Sequence, residues 1–263
     1  MINSQIMPIN NESVKQQVSV DEWEVRVNLA AAYRLVASYG WDDLIFTHIS
    51  ARVPGADDEF LINPFGLLFD EVTASSLIKV NGKGEKVLPT LFPVNPAGFT
   101  IHSAVHQVRH DVACVIHLHT ISGTAVSTDP RGLLPLNQTA LLIRDDLAYH
   151  DFEGVAVDLD ERSRLQKDLG DKNIMLLRNH GTLALGATVA EAFMRIYFIE
   201  RACEMQVATL SSTGGNFYPT DITVQDKVAE QGRDEVMAKQ AANLLAWPAL
   251  LRRLDRIDNA YQN

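Results

Sequence analysis

Residues 95–120 run NPAGFTIHSAVHQVRHDVACVIHLHT. Asn95 followed by Pro96 is a helix start, a capping side chain and then a proline whose missing N–H costs nothing in the first turn. Ile101, Val105 and Val108 recur at helical spacing and supply a buried stripe. Val112–His119 then reads as a buried strand whose apolar run ends in His117-Leu118-His119. Side chains alternate along a strand, so both imidazoles point the same way, near enough to share one ion. The pair suits two hydrogen-bonded histidines at a strand end equally well.

Upstream of this segment, Ser19 and Glu22 have capping-box spacing, with Val18 and Trp23 placed for a staple. A helix is expected from there to Gly40, while the polar residues 1–17 read as a mobile arm. Residues 44–53 and 59–63 read as strands, and 77–88 as a hairpin with Asn81-Gly82 in its turn. Downstream, 121–157 mixes short elements, and Asp158 with Glu161 opens a helix ending near Gly170. Ile174–Leu177 is a wholly apolar strand ending in Arg178-Asn179-His180-Gly181. Thr188 and Glu191 open a long helix to about Leu210, and a final helical region follows Gly214-Gly215. Early hairpins with later helix-separated strands predict an α/β fold, a mixed sheet covered by helices on both faces. No linker or repeat divides 18–263, which is expected to be one domain with a C-terminal helical extension.

Thirty-three acidic against twenty-three basic residues give a net charge of −10, which argues against nucleic acid as a partner. The basic cluster Arg252, Arg253 and Arg256 reads as the solvated face of a terminal helix. No apolar run approaches the ~20 residues of a membrane span, and no secretory pattern opens the chain. Cys114 and Cys203 form no spacing motif, so a reducing cytoplasm is the expected setting.

His180 stands at the end of its strand, before a glycine that permits a tight turn. Three imidazoles with an open fourth position suit zinc, and other divalent transition metals also accept them. Segment 95–120, INPFGLLFDEVTASSLIKVNGKG at 62–84 and LLRNHGTLALG at 176–186 resemble the class II aldolase/adducin family, in order over residues 20–212. The resemblance implies a three-layer α/β/α sandwich, a divalent metal held by His117, His119 and His180, a small-molecule substrate and a cyclic homotetramer. It also implies lyase-type chemistry (aldolase, decarboxylase or dehydratase) through a metal-stabilised enediolate.

The wording AGFTIHSAVH, HDVACVIHLHT, LAYHDFEG and RNHGTLALG is similar to the adducin head rather than to the sugar-phosphate aldolases. In those aldolases a glutamate stands nineteen residues before the first metal histidine; here that position is Gly98. Their phosphate-binding serines align with Pro96 and Ala97, and other phosphate contacts with Thr47, His48 and Phe65. Sugar-phosphate cleavage is therefore not expected, whereas Gly98→Glu is expected to add a fourth metal ligand. A different acid or base is required, with His48, Tyr149 and His150 as candidates. His48 suits a ligand contact or a hydrogen bond within its strand.

His102 and His106, four apart on one helix, read as a solvated or hydrogen-bonded pair. Arg109 and His110 suit a helix C-terminus. Asp70-Glu71 reads as an exposed turn and Cys203 as core. The alternative is a non-enzymatic adducin-head-like binding or assembly module, although these residues hold no counterpart of the adducin tail.

Overall fold

The computed structural model describes residues 11–155 and 159–263. Its first element is helix α1 (Asn11–Gln17), where the sequence suggests part of a mobile arm; residues 1–10 lie outside the described residues. Lys15 lies 5.2 Å from the Trp23 ring centroid, a cation–π contact that gives this segment a partner. Helix α2 (Val20–Tyr39) begins and ends as its sequence specifies. The Ser19 hydroxyl accepts from the Glu22 N–H, and Gly40 closes the helix at φ 67°. Half of the capping box is missing because the Glu22 carboxylate turns inward, 2.9 Å from Arg26 and 3.0 Å from Lys79. Glu22 and Arg26 are both buried, and buried charges persist when paired.

The remaining elements follow as β1 (His48–Arg52), β2 (Glu59–Ile62), β3 (Ile78–Asn81), α3 (Pro96–Val108) and β4 (Cys114–Leu118). After them come α4 (Ile121–Thr128), α5 (Gln138–Ile143), β5 (Leu147–His150), α6 (Glu161–Leu169), β6 (Ile174–Leu177), β7 (Gly181–Gly186) and α7 (Val189–Thr213). The seven strands form one sheet in the order β3-β2-β1-β4-β7-β6-β5. Its pairs are antiparallel except β5 with β6, so the sheet is mixed, as expected.

Two strand expectations change. The strand expected over 44–53 starts at His48, because Asp43–Phe46 closes a tight turn in which Leu44 has φ 51°, and Thr47 follows at φ 63°. Strand β7 was not foreseen: Arg178–His180 is the turn of a β6–β7 hairpin rather than a strand end. Asn179 takes the left-handed conformation there at φ 54°, which asparagine tolerates. Of the helix start expected at Asp158 and Glu161, Asp158 lies outside the described residues; α6 begins at Glu161.

Alternation along β4 divides two cores. Cys114, Ile116 and Leu118 enter the larger one with α2, α5 and α7, while Val115 joins Ile101 and Val105 of α3 and Leu165 and Leu169 of α6. Helices therefore cover both faces, giving the three-layer α/β/α arrangement. By the same alternation His117 falls on the α3 side. The C-terminal helices α8 (Ile222–Gly232), α9 (Glu235–Gln240) and α10 (Trp247–Asp255), with a π-helical turn before the last, follow α7. Trp247, Leu254 and Tyr261 pack into the larger core, and the Trp247 indole donates to Asn28 at 2.7 Å. Cys114 and Cys203 are free and buried. Among the described residues no helix is long and apolar enough to cross a membrane.

Candidate metal centre

The end of β4 and the β6–β7 turn bring three imidazoles together. His117 pairs with His48 of β1 on one side and with Leu183 of β7 on the other. His119 lies one residue past the strand, and His180 sits in the hairpin turn. The turn approaches β4 so closely that a Cβ at Gly181 would lie 2.2 Å from the Leu118 carbonyl oxygen. Each pair of the three rings has centroids 4.7 Å apart, and one ligand nitrogen from each falls within 4.8 Å of the others.

The outer contacts fix which nitrogens are free. His117 Nδ1 lies 2.9 Å from the Thr182 carbonyl oxygen, which only accepts, so the proton sits on Nδ1. His119 Nδ1 likewise donates to Asp43, at 3.1 Å. With both rings neutral, both Nε2 atoms then carry lone pairs, yet they lie 2.9 Å apart. Neutral rings cannot hydrogen-bond to each other in that state. Protonation is opposed: burial, then His180, His119 and His48, hold His117 well below the usual imidazole range. Burial, then His119, brings His180 to about 4. Three converging imidazoles, two of them with the far nitrogen anchored, fit a divalent cation.

Behind the triad, the Thr182 hydroxyl donates to Glu200 of α7 at 2.5 Å, and Thr120 donates to the same carboxyl group. Glu200 is buried, which pushes it up to about 7 against the lowering by the two hydroxyls. Sequence reasoning missed Asp43, Thr182 and Glu200. An acid within the apolar run Phe198-Ile199-Glu200 was a signal for the last; nothing local marks Asp43.

His48 lies beside the triad, with its ring centroid 5.1 Å from that of His117. A Cβ at Gly98 would lie 2.7 Å from His48 Cδ2, so the glycine makes room for this ring. His150 is buried, its Nδ1 2.7 Å from Asp168, and with Phe152, Glu161, Arg178 and His180 it lines a narrow pocket. Tyr149 does not join it. Strand alternation turns Tyr149 to the opposite face, where its hydroxyl accepts from the Leu133 N–H at 3.1 Å and Arg178 stacks 4.4 Å from its ring.

His102 and His106 are buried and hydrogen-bond through Ser50. Arg109 reaches Asp111, Lys172 and Asn173, tying the end of α3 to the turn before β6. Glu71 lies in an exposed turn with Asp70 and accepts from the Leu68 N–H at 2.8 Å. The side chains of Pro96 and Ala97 lie outside the described residues.

Residues 27–207 match the family described as the Class II Aldolase and Adducin N-terminal domain. The chain belongs to this family. It is 52% identical over 249 residues to a class 2 aldolase family protein of Caulobacter vibrioides, covering 95% of this chain and 96% of that one. It is 47% identical over 215 residues to alpha-adducin of Mus musculus, covering 80% of this chain but 29% of the adducin. Among solved structures, an aldolase II superfamily protein from Pseudomonas syringae superposes with TM-score 0.88 at 47% identity, covering 95% of this chain and 99% of that one. L-fuculose 1-phosphate aldolase from Glaciozyma antarctica gives 0.79 at 26% identity, covering 92% and 93%.

Proposed function

We propose that the protein is a divalent-metal-dependent lyase-type enzyme acting on a small oxygenated substrate that carries no phosphate. The observation that carries this reading is the pair of facing Nε2 lone pairs on His117 and His119, each fixed by a donated Nδ1 proton. These two residues and His180 would hold the ion, with zinc the best match to three imidazoles. A bound ion supplies a Lewis acid for carbonyl and hydroxyl oxygens. His150 is the base we assign: its Nδ1 donates to Asp168, and its Nε2 lies in the pocket beside His180, 3.5 Å from the Glu161 carboxyl group, whose protonated form burial favours. His48, in the space beside Gly98, is the second polar group at the substrate.

Metal analysis of purified protein tests the core of this reading. About one divalent transition metal ion per chain is expected, and protein that takes up none refutes it. A turnover screen with carboxylic acids and non-phosphorylated sugars then addresses the reaction. The likeness to alpha-adducin supports a second reading, a binding or assembly head without turnover. Metal-loaded protein inert across the screen would favour it.

The likeness to L-fuculose 1-phosphate aldolase does not bring that substrate with it. Gly98 offers no carboxylate, and a positioned general acid or base contributes on the order of 10²–10⁴ in rate. Fuculose, rhamnulose and ribulose phosphates are expected to turn over well below about 1 s⁻¹, the lower end of ordinary enzyme rates. A coupled assay on metal-loaded protein checks this, and turnover at ordinary rates would contradict it.

Assembly into a cytoplasmic homotetramer completes the proposal. It is supported by family kinship and by the exposed apolar residues Val236, Met237, Leu244 and Leu245 on the C-terminal helices. Sedimentation should give four times the chain mass of 29.1 kDa; a monomer at micromolar concentration would reject it.

A further inference from the structure

Strand β1 and helix α3 share a buried polar chain that extends away from the triad. At its outer end, Arg52 Nη2 donates to the His106 carbonyl at 2.7 Å and faces His106 Nδ1 at 3.5 Å. A guanidinium has only donors, so His106 turns a lone pair towards it. Burial, then the Arg52 charge, lower His106 to about 3, so the ring is neutral and its one proton sits on Nε2.

Every later member follows from that first one. His106 Nε2–H donates to Ser50 Oγ at 2.8 Å, and the Ser50 hydroxyl donates to His102 Nδ1 at 2.5 Å. His102 must then carry its proton on Nε2, which donates to His48 Nδ1 at 2.8 Å. Among the described residues the chain of hydrogen bonds ends there, at the ring beside His117. Reversing it would turn an N–H towards the guanidinium.

We propose that Arg52 sets the direction of this chain and thereby holds His48 as its Nε2–H tautomer, a fixed hydrogen-bond donor for a negatively charged substrate oxygen beside the triad. The donor role rests on the metal-centre reading; the tautomer does not. His102, Ser50 and His106 are positioning residues, and His48 is the group that meets substrate. The assignment complements His150, the acceptor, so the two histidines are not interchangeable.

Long-range ¹H–¹⁵N spectra of the imidazole rings in the full-length protein test this, with His48 identified by the signal lost in His48→Gln. The expected wild-type pattern is a protonated Nε2 and a bare Nδ1 at His48. Arg52→Met removes the half-buried guanidinium that sets the direction, and should convert the single tautomer into a mixture in comparable amounts. Ser50→Ala should do the same and Ser50→Thr, which keeps the hydroxyl, should restore the wild-type pattern. A wild-type His48 protonated on Nδ1 overturns the proposal whether or not any variant folds. So does an unchanged tautomer in folded Arg52→Met. Metal analysis of the same samples is a separate readout: metal-free protein with His48 protonated on Nε2 removes the metal reading and supports the tautomer.

Discussion

Protein in which His117 and His119 are both replaced by alanine is expected to fold and to carry no metal. Removing two of three ligands leaves the half-buried His180 alone, and one imidazole does not retain a divalent ion through purification. Folding should survive because the metal does not organise the core. The triad sits at the end of β4, while the larger core lies on the other face of the sheet among α2, α5 and α7. A chain of this size buries roughly 70–75% of the surface its unfolded form exposes, so it needs no structural ion. Truncating buried His117 leaves a cavity and strips the Thr182 carbonyl of its donor. Together these cost about 3–5 kcal/mol, which lies within the 5–15 kcal/mol stability of typical proteins. Elemental analysis and a thermal melt, run together, check both halves. Full metal occupancy in the double variant would falsify the site. Asp43→Asn, which removes the carboxylate behind His119, should weaken metal affinity by about 10–100-fold.

The parts of this site that sequence could reveal share a physical cause. His117 and His119 are visible because strand alternation is local, and two residues apart means one face. His180 needed the family resemblance, since nothing short-range says that the β6–β7 turn returns to β4. The turn was hidden because Arg178-Asn179-His180 reads equally well as the end of a strand, and β7, with a glycine at each end and Thr182 inside it, carries no clear strand pattern. Glu22 and Arg26 illustrate the converse. Glu22 reads from sequence as a capping residue, yet Arg26 four residues on and Lys79 from β3 draw it into a buried cluster. Tyr149 and His150 are adjacent, and sequence alone could not decide which of them faces the triad. Strand β5 decides it, one residue to each face.

Gly98 provides the sharpest test of how the site is packed. The expectation that Gly98→Glu would add a fourth ligand fails on the geometry, because the first atom of any side chain there would lie 2.7 Å from His48 Cδ2. His48 cannot yield freely, since His102 holds it at 2.8 Å and both rings are buried. Gly98→Ala should therefore be destabilising, although glycine to alanine within a helix ordinarily gains about 1 kcal/mol. Forcing an extra carbon into a packed interior costs about 1–3 kcal/mol, which cancels or exceeds that gain. In a His48→Ala background the obstacle is gone, and the same substitution should become stabilising by up to about 1 kcal/mol. The sign of the Gly98→Ala effect thus depends on one neighbouring ring, a coupling of about 1–3 kcal/mol between residues in contact. Urea denaturation of the four proteins at one fixed concentration measures it directly. An equal effect in both backgrounds would mean that His48 does not occupy the space beside Gly98, and the reading of His48 as the second polar group at the substrate would fall with it.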